Sequence, residues 1–213
     1  MSNPALQSPS TTETKERILD AAETLFAERG FAATSLRAIA ARAEVNLAAT
    51  HYHFGSKKGL LAAVFHRRIA PINALRLDGL QQLEDSGEAL TVGNILEAFF
   101  QPFTRDDMYA TAPAVIGWIY GEPEVITKPI FEREFTTVAR RYQQTLAKVL
   151  PRVTRDDLRW RFHFMVGSMI HLLQMNAPLG VTSSRKSFLR GLEHLITFSV
   201  AGLEQPSTGM HDG

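Results

Sequence analysis

A chain of 213 residues with 45% hydrophobic content has ample material for a packed core, and ten prolines and fourteen glycines exclude collagen-like or wholly low-complexity architectures. It contains no cysteine, which removes disulfides, thiolate metal ligands and cysteine nucleophiles in one step. The net charge of +1 conceals an asymmetry: residues 1–70 carry nine Lys/Arg against six Asp/Glu, whereas residues 71–213 carry fourteen against sixteen.

Residues 1–13 read as a disordered arm. Met1 to Thr12 is rich in Ser, Thr and Pro and lacks a basic stretch followed by an apolar run, so no signal peptide is expected. A first helix is predicted from Lys15 to Arg29. Ile18, Ala21, Ala22, Leu25 and Phe26 recur at helical spacing, and Gly30 stands where a C-terminal glycine belongs. Thr14 can cap it, and Ser10 with Glu13 also makes a capping-box pattern. Thr34 or Ser35 opens a short helix through Arg42, with Leu36, Ile39 and Ala40 inward. After a break at Glu44–Val45, a second short helix runs from Asn46 to His53, with Phe54 as its inward anchor. Gly55–Ser56 ends it and caps a long helix starting at Lys57. Further helices are expected near 57–84, 88–103, 108–120, 123–149, 154–177 and 185–203, followed by a disordered polar tail from 204 to 213. No window alternates with period two, so the fold class is all-α. The tetrapeptide Thr-Arg-Asp-Asp at Thr104–Asp107 and Thr154–Asp157 reads as two helix starts, not as a catalytic carboxylate pair.

Two short helices joined by a tight turn behind a longer one form a helix-turn-helix, which places a helix in the major groove of double-stranded DNA. Between Arg29 and Arg68, seven basic residues face only Glu44, a footprint suited to a polyanion. The second short helix leads with small residues, Leu47-Ala48-Ala49, and finishes with His51 and Tyr52, which can donate to bases or phosphates. The segment Thr14–Val64 resembles the N-terminal domain of the TetR family of bacterial regulators. The matching residues are Ile18-Leu19-Asp20-Ala21-Ala22, Leu25-Phe26, Gly30-Phe31, Thr34-Ser35-Leu36-Arg37, Ile39-Ala40, Ala43, Val45-Asn46, Tyr52-His53-Phe54 and Gly55-Ser56-Lys57-Lys58-Gly59-Leu60. The family pattern usually has Gly where Glu44 stands and Ser where Asn46 stands. The resemblance implies that Arg37 reaches a base or phosphate and that Leu47, Ala48, His51 and Tyr52 face base edges. By the same resemblance His53 and Lys57 hold phosphates, helped by Ser35 or Thr34 and the N-terminus of the fourth helix. It also implies a division into a DNA-binding domain at 14–60 and a ligand-binding and dimerisation domain at 61–203.

In the second domain, Phe103, Met108 and Trp118 in one cluster and Phe131, Phe164 and Met165 in another are candidates to line a pocket for a small apolar effector. The resemblance implies that pocket; the residues only permit it. Phe162–Met175 is apolar on nearly every face, yet interrupted by polar residues and too short to span a bilayer, so a cytoplasmic protein without a membrane partner is expected. One side of that helix can meet the core and the other a second subunit. Val166, Gly167, Ile170, Leu192, Leu195 and Ser199 are the expected homodimer interface, the helix pair through which family members dimerise. Arg140-Arg141-Tyr142, Leu150-Pro151-Arg152 and Trp160–Gly167 resemble a fatty-acid-responsive subgroup, which implies a long-chain acyl effector.

No cofactor, metal or enzymatic activity is expected. His51 and His53 are two apart on a helix and point to different faces, and Gly55–Gly59 lacks the glycine spacing of a phosphate loop. The expectation is a ligand-responsive repressor that binds operator DNA as a homodimer. A constitutive DNA-binding dimer without an effector is the alternative.

Overall fold

The computed structural model describes residues 10–107, 122–174 and 184–207, and these are helical with no strand among them. The described α-helices are α1 (Thr11–Ala33), α2 (Leu36–Arg42), α3 (Leu47–Phe54), α4 (Lys57–Asp85), α5 (Val92–Phe100), α6 (Glu124–Val149), α7 (Arg155–Gln174) and α8 (Arg185–Glu204). The chain divides into two compact units. Of the described residues, the first holds 10–67 and 122–130, and the second holds 68–107, 131–174 and 184–207. This differs from the boundary expected at residue 60. The division falls inside α4 and inside α6, and both helices carry a proline close to it, Pro71 and Pro129. A helical proline has no N–H for the residue four back, so the backbone ladder of α4 lacks its bond to the Arg67 carbonyl.

In the first unit, Ser10 accepts a hydrogen bond from the Glu13 N–H at 3.1 Å, so α1 starts at Thr11 and takes residues 11–13 out of the expected arm. Ile18, Ala22 and Phe26 are fully buried along one face of α1. Gly30 turns the chain with φ of 76°, a conformation that favours glycine, and interrupts the helix where the sequence places its end. The Thr34 hydroxyl is buried and donates to the Gly30 carbonyl at 2.8 Å, holding the start of α2 against α1. A piece of chain remote in sequence joins here: the Glu122 carboxylate accepts the Phe31 N–H at 2.7 Å.

In the second unit, α8 packs against α5 and α7. The expected helix at 88–103 is shorter than read. Thr91 and Asn94 form a reciprocal capping box that starts α5 at Val92, and Pro102 converts its end into a 3-10 turn, Gln101–Thr104. Arg185 closes that turn by donating to the Phe103 carbonyl at 3.0 Å and the Thr104 carbonyl at 2.5 Å, while its Nε meets Asp106 at 2.9 Å. Of the two Thr-Arg-Asp-Asp copies, Thr154 caps α7 by accepting from the Asp157 N–H at 3.1 Å. Thr104 instead turns its hydroxyl back to the Gln101 carbonyl. Residues 204–207 do not belong to the expected disordered tail, because the Ser207 N–H donates to the Arg152 carbonyl at 3.1 Å and its hydroxyl accepts from the Thr154 N–H at 2.9 Å; 208–213 lie outside the described residues.

Candidate nucleic-acid interface

The turn between α2 and α3 is built by short-range hydrogen bonds that the sequence encodes. Ser35 caps α2 by accepting from the Ala38 N–H at 3.1 Å, and Asn46 caps α3 by accepting from the Ala48 N–H at 2.8 Å. Between them Glu44 adopts φ of 52°, the left-handed geometry for which a glycine is the unstrained choice. Arg17 of α1 steadies it, donating to both the Glu44 carbonyl at 3.2 Å and its carboxylate at 3.3 Å. Gly59 has a different constraint: a Cβ there would lie 2.2 Å from the Phe54 carbonyl oxygen, so α4 can start this close to α3 only with glycine.

The face of α3 turned inward is anchored by Thr50, which is fully buried and donates to the Leu47 carbonyl at 2.6 Å. Phe54, the anchor expected from the sequence, is only half-buried. The outward face carries Ala48, His51 and Tyr52, all exposed, with Leu47 and His53 half-buried beside them. Tyr52 is 81% exposed, the most exposed large apolar side chain of the described residues. Its ring meets His53 edge-on at 5.2 Å, which orients the phenol outward. The His51 Nδ1 lies 3.2 Å from the Gly55 carbonyl, so a proton on Nδ1 satisfies that bond and leaves Nε2 outward. Arg37 and Ser35 are exposed on α2, although the Ser35 hydroxyl is engaged in capping.

Lys57 departs from its expected role as a phosphate ligand. Its ammonium donates to the Phe31 and Thr34 carbonyls, both at 2.8 Å, and to Ala32 at 3.4 Å, and lies 4.3 Å from the centre of the Phe31 ring. All three donors are spent on the carbonyl-rich end of α1. Arg67 is similarly engaged, with Glu16 at 3.2 Å, Asp20 at 2.7 Å and Glu23 closing on its other terminal nitrogen. Burial works against the Arg67 charge, but the carboxylates outweigh it and its pKa is raised. The local excess of positive charge is therefore smaller than the residue count suggests. A readable signal existed for Arg67, because Glu16, Asp20 and Glu23 share one face of α1.

Other predicted positions are placed as follows. Phe103 and Met165 are buried in the second unit, and Phe131 is half-buried and stacked on Phe135 at 5.7 Å. Phe164 is 62% exposed, so it does not line an interior pocket. Met108 and Trp118 lie outside the described residues. Of the expected interface, Gly167 is exposed and Val166 and Ile170 are half-buried. Leu192, Leu195 and Ser199 are buried within their own unit and are corrected to core residues. The helical period puts Phe198, 73% exposed, on the other side of α8, and Trp160 and Phe164 likewise stand outward on α7.

Comparison with known proteins rests on the same two regions. A family model described as bacterial regulatory proteins, tetR family, matches residues 18–64, and one described as tetracyclin repressor-like, C-terminal domain, matches residues 97–202. The chain belongs to the TetR family. Residues of this TetR-family chain are 56% identical over 52 positions to the HTH-type transcriptional repressor Rv3405c of Mycobacterium tuberculosis, covering 24% of this chain and 28% of that one. The match thus spans little more than a quarter of that relative. A weaker match, 28% over 129 residues, reaches the HTH-type transcriptional activator FasR of Mycolicibacterium smegmatis, covering 56% and 58% of the two chains. Among solved structures, a transcriptional regulator from Aquifex aeolicus VF5 superposes with a TM-score of 0.62 at 22% identity over 87% of this chain and 98% of its own. A chain from Pseudomonas aeruginosa PAO1 gives 0.69 at 15% identity over 95% and 98%. At such identities these structures speak for the fold alone.

Proposed function

We propose that this TetR-family protein is a homodimeric, operator-binding transcriptional repressor that works in the cytoplasm and is released from DNA by a small apolar effector. The observation that carries the reading is the outward face of α3. A helix that buries only Thr50 and presents Ala48, His51 and Tyr52 is shaped to enter a groove, because small residues let its backbone approach the base edges. Arg37 on the preceding helix supplies a cation that forms no ion pair among the described residues. The repressor named in Mycobacterium tuberculosis matches over this segment, which supports the sign of regulation. Dimerisation is supported by Trp160, Phe164 and Phe198, large apolar side chains left in water on α7 and α8, with nothing near Gly167 or Gly202. No helix of the described residues is long and apolar enough to cross a membrane.

Two recognition helices must stand about 34–36 Å apart to enter successive major grooves. The helix α4 begins in the first unit and ends in the second, so in this reading it serves as the lever for changing that spacing. An effector works that lever only if it prefers the non-binding state, and a shift from 1:99 to 99:1 requires about 5.5 kcal/mol of preference. Selection from random duplexes should return a two-fold-symmetric operator. Ligand titrations with and without that operator should then give reciprocal changes in affinity. Failure to enrich any sequence would overturn the reading. Equal ligand affinity with and without operator would leave the constitutive DNA-binding dimer.

A further inference from the structure

The second unit contains a buried cation with no anion. Arg76 of α4 is 2% exposed, and its three nitrogens donate to neutral acceptors: Nε to the Phe99 carbonyl at 3.0 Å, Nη1 to the Asn73 side-chain oxygen at 3.4 Å and Nη2 to the Met169 sulfur at 3.3 Å. Its guanidinium lies over the Phe99 ring at 4.0 Å and reaches Phe103 at 5.3 Å. No carboxylate pairs with it among the described residues. Burial draws its pKa down to about 10, with Tyr142 offsetting part of that. Half-buried arginines of the same unit are treated differently. Arg141 meets Glu84, Arg161 meets Asp157 and Arg185 meets Asp106. Of these four, the deepest is the one without a counter-ion among the described residues.

A buried charge costs more than neutral hydrogen bonds return, so an arginine retained here calls for a partner that arrives later. The chemistry of that partner follows from which edge is under-served. Nε has a short bond to a fixed helical carbonyl. The Nη1–Nη2 edge has the two longest contacts, one of them to a thioether, which is a weak acceptor. Two parallel N–H groups on one edge match a planar carboxylate, which accepts both in charge-assisted bonds. The Asn73 amide nitrogen donates to the Glu134 carbonyl at 2.7 Å, which fixes the side chain and keeps its oxygen at 3.4 Å from Nη1. Met169 is unbranched and can swing aside, the Tyr142 hydroxyl is spent on the Arg76 carbonyl at 2.8 Å, and the rings of Phe99 and Phe103 lie against the guanidinium, so the body of the ligand is hydrocarbon. Resting on the reading that the second unit takes an effector, we infer that Arg76 anchors the carboxylate of an apolar organic acid, with Phe99, Phe103 and Met169 around its head.

The test uses the full-length protein and two variants, Arg76→Met and Arg76→Lys. Laurate, palmitate and 2-naphthoate are compared with 1-dodecanol and methyl laurate by calorimetric titration and thermal melting, with dodecyl phosphate to separate a carboxylate from a phosphate head. The wild type should bind at least one acid about tenfold or more tightly than its uncharged counterpart. Arg76→Met should fold, because an apolar residue of similar length replaces a buried charge, and should melt at or above the ligand-free wild type. It should lose the preference for acid, while Arg76→Lys keeps a weaker one because an ammonium lacks the fork. The anchor is refuted if no acid binds, if dodecyl phosphate outbinds every carboxylate, or if Arg76→Met keeps the preference. It is also refuted if ligand-free Arg76→Met melts far below the wild type, which would make the charge structural. Alcohol and acid binding equally well while releasing operator would remove the anchor and leave the effector reading intact.

Discussion

The most buried arginine of each unit is held differently, Arg67 by carboxylates and Arg76 by neutral acceptors alone. In the DNA-facing unit, Lys57 spends its three donors on carbonyls of α1 and Arg67 is ringed by Glu16, Asp20 and Glu23. In the second unit, Arg76 is buried more deeply than either and has only neutral acceptors. The difference fits the roles proposed for the two units. A reading head must hold one geometry, and a charge with all its partners in place resists change, because removing any partner leaves an uncompensated charge. A unit that responds to a ligand gains from a group whose partners are incomplete, because the ligand then supplies a large, state-specific interaction.

Four experiments break or sharpen this comparison, and the one with the largest expected effect tests whether the reading heads work in pairs. Replacing both exposed rings, Phe164→Asp with Phe198→Asp, should leave the monomer folded, since neither side chain is in a core. It should abolish the dimer in light scattering and lower operator affinity by about 100-fold or more through lost avidity. A double variant that stays dimeric would move the interface elsewhere. Next in size is Lys57→Ala. It should cost roughly 2–3 kcal/mol in urea unfolding, since it strips a charged donor from three carbonyls, while the salt dependence of DNA binding keeps its slope. Unchanged stability with a slope reduced by one charge would restore the phosphate contact that its residue type suggests.

Smaller effects come from the α3 surface and from one ion pair. Tyr52→Ala and Arg37→Ala should each cost roughly 1–3 kcal/mol on the operator and much less on random duplex. Equal losses on both would make these residues backbone contacts. In the second unit, the hydrogen bond from Arg141 holds the Glu84 carboxyl down at about 2, with Thr145 and Lys148 adding to it and burial opposing. A depressed carboxylate stabilises fully above its unfolded value, about 4.3, and loses that contribution as pH falls through its folded value. Glu84→Gln should therefore cost about 1–2 kcal/mol at pH 7 and progressively less as pH falls from about 4 towards 2. A penalty independent of pH would show that the carboxylate charge does not hold α4 to α6.

Much of the DNA-facing unit is legible in the sequence because its elements are set locally. Ser35, Asn46 and Gly55–Ser56 mark helix ends through bonds that reach only two to four residues, and the exposure of Tyr52 follows from helical period once Thr50 or Phe54 is turned inward. Glu44 in a left-handed turn was also visible, as the residue standing where the family pattern has Gly. What failed was the partner of Lys57, because its acceptors lie 23 to 26 residues earlier and are main-chain carbonyls that carry no side-chain signature.

The all-α class, the order of helices and the position of the helix-turn-helix were determined by the amino-acid sequence, since capping and helical periodicity act over a few residues. Tertiary structure alone decided which stripe of α8 is core. Leu192, Leu195 and Ser199 have the same apolar spacing whether a chain covers them itself or leaves them for a second copy. Packing likewise decided that residues 122–130 join the unit formed by residues 10–67, and that the arginine at 76, unlike those at 141 and 185, lies beyond reach of a carboxylate. Charge pairing depends on distances between residues tens of positions apart, and only the packed helices set those distances.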